Sequence, residues 1–297
     1  LSSVVPEAPR NAGEMLARAR EFLTRKGTLS PRLEAELLVA HALGLDRLKL
    51  FLQFDRPVTA VEVARARELL VRRGRNEPVA YITGSREFYG RSYRVTRDVL
   101  VPRPETELIV DLARAAHRTH ALGRVLDIGA GSGCLATSLF LELDAPSVTA
   151  VDISAAALAV ASDNAARLGA NVEFVEGDGA ECLGEREPFD LIVSNPPYIE
   201  PGEAPTLSPD VREWEPSVAL FTPEQDPEHW LRRLADTALA RLPERQLEGG
   251  PSRGLALIEL GHRQASRALE IARERGLSAR THKDYGGVER VLELRRG

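Results

Sequence analysis

The chain has little cysteine, little lysine and no long apolar run. Its 297 residues contain two cysteines, Cys134 and Cys182. That is too few for a disulfide framework, and they lack the spacing of a metal site. They are expected to be small, reduced core residues, which suits a cytoplasmic location. No metal is expected. No apolar stretch approaches the roughly 18 residues of a membrane span, so a membrane is not an expected partner. The opening "LSSVVPEAPRNAGEM" lacks the basic-then-apolar order of a secretion leader. Internal repeats and low-complexity tracts are also lacking. What is left, with 43% hydrophobic and 28% charged residues, is a globular chain. Its length suits one large or two ordinary domains.

Only 3 of the 39 basic residues are lysine, and the net charge of −5 hides an asymmetry. Residues 1–75 hold 14 basic and 9 acidic side chains, residues 76–124 hold 8 and 6, and residues 125–297 hold 17 and 29. A basic front on an acidic body suits a front that meets something negative: nucleic acid, an acidic protein or a ribosome. A solvated, arginine-rich helix surface would look the same.

The front is patterned as helices. "NAGEMLARAREFLTRKG" has apolar residues at helical spacing and ends at Gly27. "SPRLEAELLVAHALG" starts with Ser30 as N-cap and Pro31 in the first turn, and stops at Gly44. Thr59 and Glu62 form a capping box for a further helix. These make a small bundle, and residues 1–75 are assigned to a first domain. "VAYITGSREFYGRSYRVT" alternates around Gly84 and Gly90 and predicts a β-hairpin. Residues 76–103 are taken as that hairpin and a Pro-rich linker. His117 and His120, three apart on the next helix, are expected at the surface. From residue 124 onward strands and helices alternate: "RVLDIG", "SVTAVDIS", "VEFVEGD", "FDLIVSN", "GLALIEL", "SARTHKD" and "VERVLELRR" are strands. The expected fold is α/β, a mostly parallel sheet with helices on both faces. Residues 199–226 stand out as an irregular, Pro-rich insertion of a length that is often functional.

"VLDIGAGSG" sets Gly129, Gly131 and Gly133 between the first sheet strand and a helix, with Ala130 and Ser132 between them. Glycines there let backbone approach a ligand at a helix start. Asp152 ends the next strand, where a carboxylate can accept both ribose hydroxyls. A nucleoside-containing cofactor is expected. The spacing is G-x-G-x-G with Asp127 on the preceding strand, and a dinucleotide fingerprint would be G-x-G-x-x-G. It resembles the loop of S-adenosylmethionine (SAM) methyltransferases, which faces the cofactor's amino-acid part. In that fold Asp178, after the third strand, is placed to contact adenine; a plain turn residue is the other reading.

"SNPPYIE" ends the fourth strand, where open α/β sheets gather ligands. The Asn195 side-chain oxygen and the Pro196 carbonyl are acceptors that can hold the two hydrogens of an –NH2 group. Pro196 and Pro197 stiffen the loop and offer no competing N–H. Tyr198 can stack on the planar group that carries the amine. An amide or aryl amine is a weak nucleophile because its lone pair is delocalised. Two fixed acceptors aim the nitrogen and favour the positive charge that grows on it. Such positioning can supply on the order of 7–11 kcal/mol of a barrier. Adenine and glutamine both present this group, so the motif leaves the substrate open.

"REFYG", "LVPRPETE", "VLDIGAGSG", "VSNPPYI", "EWEPSVAL" and the closing "KDYGGVERVLEL" together resemble the HemK/PrmC family, over about residues 13–295. These are protein-glutamine methyltransferases acting on peptide-chain release factors. The resemblance implies a Rossmann-like class I SAM-dependent methyltransferase domain over 104–297. It implies that the bundle docks the factor while the glutamine of a Gly-Gly-Gln loop reaches the active site. Asn195, Pro196, Pro197 and Tyr198 would bind the glutamine amide; Gly129–Gly133, Asp152 and Asn195 would hold SAM. The turn Pro102, Arg103, Pro104, Glu105 would line the site between the domains, with Arg103 and Glu105 able to pair. Phe88 would cover the cofactor or serve as hairpin core, with core favoured. Gly179 stands where relatives often have an aromatic, which removes a stacking contact from the adenine site. "FTPEQDPEHW" departs from a glycine-containing stretch and changes the wall near 221–229.

Class 1 release factors are therefore the expected partner, and a monomer the expected state. The nearest alternative is a ribosomal-protein glutamine methyltransferase, which "VPRPETE" disfavours. A DNA or RNA adenine amino-methyltransferase fits the basic front, but the acidic catalytic body opposes direct nucleic-acid binding, since that affinity rests on neutralising phosphates.

Overall fold

The structure, a computed structural model, describes residues 8–144, 147–244 and 254–296. They form two compact units, Leu1–Gly84 with Ser208–Trp214, and Ser85–Leu207 with Glu215–Gly297. Among the described residues no helix is long and apolar enough to cross a membrane.

The first unit is helical. Helix α1 (Ala12–Lys26) starts at Asn11, whose side chain accepts the Glu14 N–H at 2.8 Å, and ends at Gly27 in the left-handed region. Helix α2 (Pro31–Leu43) has Pro31 in its first turn and stops at Gly44 as expected, but the Ser30 side chain makes no capping bond. After α3 (Arg47–Leu52), helix α4 (Ala60–Arg73) carries the complete Thr59–Glu62 capping box. Residues 79–83, expected in the hairpin, form a short helix instead, α5 (Val79–Thr83). Ile82 is drawn inward to pack with Leu23, Leu38, Leu50 and Leu69, so burial overrides the alternating pattern. Many of the basic side chains are paired within the unit: Arg32 and Arg47 on the buried Glu36, Arg72 on Glu77, Arg73 on Glu34 and Asp210. Asp210 belongs to α9 (Pro209–Trp214). The stretch 199–226 is thus more ordered than expected, with a 3-10 segment at Pro201–Thr206, α9, and α10 (Ser217–Leu220).

The second unit opens with a hairpin of β1 (Ser85–Phe88) and β2 (Arg91–Arg94), followed by α6 (Glu107–His117). Phe88 is fully buried, edge-on to Tyr93, and serves as core. His117 is half-buried and accepts the Leu122 N–H, while His120 is exposed. The expected alternation follows: β3 (Arg124–Ile128), α7 (Cys134–Glu142), β4 (Ser147–Asp152), α8 (Ala155–Leu168), β5 (Val172–Glu176), β6 (Leu191–Ser194), α11 (His229–Arg241), β7 (Leu255–Glu259), α12 (Ala265–Glu274), β8 (Leu277–Lys283) and β9 (Glu289–Arg296). The sheet order is β5-β4-β3-β6-β7-β9-β8, parallel except for the pairings of β9. Strand side chains alternate between two cores. Leu126, Ile192 and Ile258 join Leu234 of α11 and Ile271 of α12. Val125, Val193 and Leu257 join Ile109 of α6 and Leu139 of α7. Burial on both faces is why these strands are nearly continuous apolar runs.

Asn164 of α8 is fully buried and holds three backbone groups. It accepts the Arg94 N–H at 2.7 Å and donates to the carbonyls of Arg94 and Ser132, both at 2.9 Å. The end of the hairpin and the glycine loop thus share one side chain. Asn164→Ala would leave those groups without partners and should cost roughly 2–4 kcal/mol. Urea denaturation checks this; an unchanged midpoint would mean the groups find other partners.

Candidate functional site

The chain runs β3, β4, β5 to one side of the sheet, then crosses back to lay β6 on the other side of β3. This is the switch point in strand order, where a crevice opens at the strands' carboxyl ends. Two of the expected stretches leave from it. The glycine loop follows Ile128, and the NPPY stretch follows Ser194, directly opposite Ile128 in the parallel register. The Ser194 hydroxyl donates to the Ile128 carbonyl at 2.7 Å and ties the two exits together.

A cavity at this point is lined by Gly129, Ala130, Gly131, Ser132, Asp152, Asp178, Asn195, Pro196, Pro197 and Arg103 among the expected residues. Four expected residues do not line it: Gly133, Tyr198, Glu105 and Pro104, the last exposed at the start of the 3-10 turn that follows Arg103. Gly133 closes against α8: a Cβ there would lie 2.9 Å from Ala161 Cβ, and its φ is +75°. It shapes the loop. Tyr198 is turned beside Gly261, where a Cβ would come within 3.0 Å of its ring, and burial pushes its hydroxyl up to about 12. Glu105 is exposed. Nor does Glu105 pair with Arg103. Arg103 Nη2 instead donates to Glu215 Oε1 at 2.7 Å, and Glu215 Oε2 accepts the Val101 N–H at 3.1 Å. Glu215 is buried, and a buried carboxylate needs such partners, whereas Glu105 has water. Of the two cysteines expected in the core, Cys134 is half-buried, packing against the core of Leu135 and Leu139 while also reaching the cavity wall, whereas Cys182 is exposed. Among the described residues no His, Cys, Asp and Glu cluster could hold a metal.

The glycine loop is not a phosphate cradle. The N–H groups of Gly129 and Ala130 both donate to the Val151 carbonyl, that of Gly131 to Asp152 Oδ2, and that of Gly133 to the Ala130 carbonyl. With those amides engaged and Asp152 and Asp178 on the wall, the crevice suits a ligand that brings donors or positive charge. Asp127, beneath the loop, points the same way. It is fully buried; Oδ2 accepts the Ala136 N–H at 3.1 Å, while Oδ1 has no partner among the described residues. Burial, with the nearby Asp152 charge adding to it, pushes its carboxyl up to about 7.

Sequence reasoning missed four residues here. Trp230 lines the cavity, and Arg233 lies 5.2 Å above its ring. Arg233 also bonds Asp178 and Glu181 and fills the space beside Gly179, where a Cβ would meet its guanidinium at 2.7 Å. Thr106 and Glu259 are the other two: Asn195 Nδ2 donates to Thr106 Oγ1 at 3.1 Å, and that hydroxyl donates to Glu259 Oε2 at 2.5 Å. The signal for Glu259 was in the sequence, a lone acid ending the otherwise apolar "LALIE".

Known proteins match this arrangement along the chain. A model of the PrmC N-terminal domain matches residues 14–84, and one of the methyltransferase small domain matches residues 106–207. The release factor glutamine methyltransferase of Geobacter sulfurreducens is 41% identical over 287 residues, covering 96% of each chain. This chain belongs to the release factor glutamine methyltransferase family. The family member of Bordetella pertussis is 44% identical over 262 residues, 88% of this chain and 93% of that one. Among solved structures, a methyltransferase from Pyrococcus furiosus covers 71% of this chain and 91% of its own at 20% identity, with a TM-score of 0.50. The hMettl16 catalytic domain covers 79% and 81% at 16% identity, with a TM-score of 0.53. These two share the methyltransferase fold.

The buried Asp127 has a consequence for stability. An unfolded Asp ionises near pH 4, and this one near 7. Between those values the folded chain holds a proton the unfolded chain has released, so this group's contribution falls as pH rises through the window and is level above it. In Asp127→Asn the loss of melting temperature from pH 5 to pH 8 should be smaller than in the parent chain. Equal losses would show that Asp127 does not carry the proton.

Proposed function

We propose that this chain transfers a methyl group from SAM to the side-chain amide nitrogen of the glutamine in the Gly-Gly-Gln motif of class 1 release factors. The observation that supports this most directly is the meeting of the glycine loop and Asn195–Pro196 at one cavity on the sheet's switch point, in a chain of this family.

Gly129, Ala130, Gly131, Ser132, Asp152 and Asp178 are the residues proposed to hold SAM, with Asn195 at its reactive end. The fit rests on the engaged loop amides, the acidic wall and the partnerless Asp127 oxygen, all suited to a cationic amino acid and a ribose. SAM supplies an electrophilic methyl carried on a sulfonium. The Asn195 oxygen and the Pro196 carbonyl accept the two N–H bonds of the glutamine amide and aim its nitrogen. They also stabilise the charge that grows on that nitrogen, and the proton leaves after attack. Pro197 stiffens the loop, Tyr198 backs it, and Arg103, held by Glu215, borders the entry. Glu105 is kept only as an outer contact for the factor. Residues 1–75 are proposed to dock the factor and 76–103 to link that bundle to the catalytic domain. A cytoplasmic monomer suits a partner of this kind.

The test is transfer of labelled methyl from SAM to purified release factor, to a Gly-Gly-Ala version, and to nucleic acid in parallel. Label on the factor that disappears with the glutamine is the expected result. Label on nucleic acid alone would mean that Asn195 and Pro196 hold an adenine. Asn195→Ala should lower kcat by roughly 10²–10³-fold while SAM binding partly survives; normal turnover would remove its assigned role.

A further inference from the structure

Asn195 can serve as an acceptor only if its amide faces the right way. Its two ends are nearly the same shape, and rotation by half a turn would put an –NH2 donor where the substrate's own –NH2 must bind. Something has to set the orientation. Asn195 is half-buried, and its Nδ2 lies 3.1 Å from Thr106 Oγ1. Thr106 is 2% exposed and stands at the end of the 3-10 turn Pro104–Thr106. Its hydroxyl lies 2.5 Å from Oε2 of Glu259, which is 1% exposed at the carboxyl end of β7, beside β6.

We infer that Thr106 and Glu259 are positioning residues that act through Asn195, by fixing which end of its amide faces the substrate. This rests on the methyl-transfer reading given above. A hydroxyl has one proton. Where Glu259 is a carboxylate, it can only accept, so Thr106 gives its proton to Glu259 and presents a lone pair to Asn195. Only the –NH2 end of Asn195 can meet that lone pair. The oxygen is left facing away from Thr106, as an acceptor for the incoming amide. Where Glu259 is protonated, it can donate to Thr106, which then can donate to Asn195. The reversed amide becomes allowed, and the acceptor is lost.

The setting of Glu259 makes both states reachable. Burial pushes its carboxyl up to about 7; the Thr106 hydroxyl, Arg290 of β9 and Arg103 pull it down, and Glu105 pushes it further up. Tyr198 of the NPPY stretch and Cys134 at the start of α7 also feel its charge. Turnover at saturating SAM and release factor should therefore fall as pH drops through about 7, in step with protonation of one group.

The experiment measures kcat and both KM values from pH 6 to 8.5, with SAM and intact release factor, for the parent chain, Thr106→Val, Thr106→Ser and Glu259→Gln. Thr106→Val keeps the shape and removes the hydroxyl; its kcat at pH 8 should fall about 100-fold, with the KM for SAM within about 3-fold. Thr106→Ser restores the hydroxyl and should recover kcat to within about 3-fold. Glu259→Gln cannot ionise and, like the protonated acid, can either accept from or donate to Thr106; its kcat at pH 8 should lie below the parent's, and its profile should be flat where the parent's falls. A Thr106→Val kcat equal to the parent's, a Ser variant as impaired as Val, or a Glu259→Gln profile that still falls like the parent's would each overturn the inference. A Thr106→Val variant that does not fold leaves the Ser and Gln arms to decide. A parent chain that does not methylate the glutamine at all would overturn the methyl-transfer reading itself, which is a different outcome from any of these.

Discussion

The pairing of β3 with β6 is the constraint on which the site depends. These strands are far apart in the chain and lie side by side, parallel and in register, with Ile128 opposite Ser194. Both are buried on two faces, so a shift by one residue would exchange the side chains fitted to the two cores, Leu126 and Ile192 on one face and Val125 and Val193 on the other. Register is therefore held by two cores at once. The glycine loop and the NPPY stretch begin at the same height on the same edge as a result, and the crevice between them is a by-product of packing.

Buried acids carry much of the remaining specificity, and each is treated differently. Glu215 is satisfied by Arg103 and the Val101 N–H and holds the Pro-rich turn in place. Glu259 has a threonine hydroxyl at 2.5 Å and a carboxyl raised to about 7. Asp127 is left with one oxygen unpaired beneath the glycine loop. A buried acid without a full set of partners destabilises a fold. Its presence beside a cavity is readily understood if a donor-bearing ligand completes it, and such groups gather at functional sites.

The surroundings of Gly179 are supplied from elsewhere in the chain. The residue after Asp178 has no side chain, and Arg233, packed over Trp230, occupies the space. Both residues lie on α11, whose first two residues, His229 and Trp230, are also the last two of "FTPEQDPEHW". Asp178 and Arg233, 55 residues apart along the chain, are thus adjacent in the fold.

Much was legible in the linear chain because local rules govern it. Gly27 and Gly44 end helices through their left-handed backbone, Thr59 and Glu62 start one, and the apolar runs of β3, β6 and β7 announce a sheet buried on both sides. The glycine spacing and the NPPY stretch named the chemistry, since both act mainly through backbone and short side chains at strand ends. The hairpin's first residues were misjudged because Ile82 follows the helical core rather than its own alternation. Which acid partners Arg103, which residues stand beside Asp178, and what orients Asn195 were decided by tertiary structure alone. Those contacts join residues 89 or more apart for Asn195 and 112 apart for Arg103. A side chain's partner at that separation depends on where the sheet sets each strand end, and no local pattern encodes it.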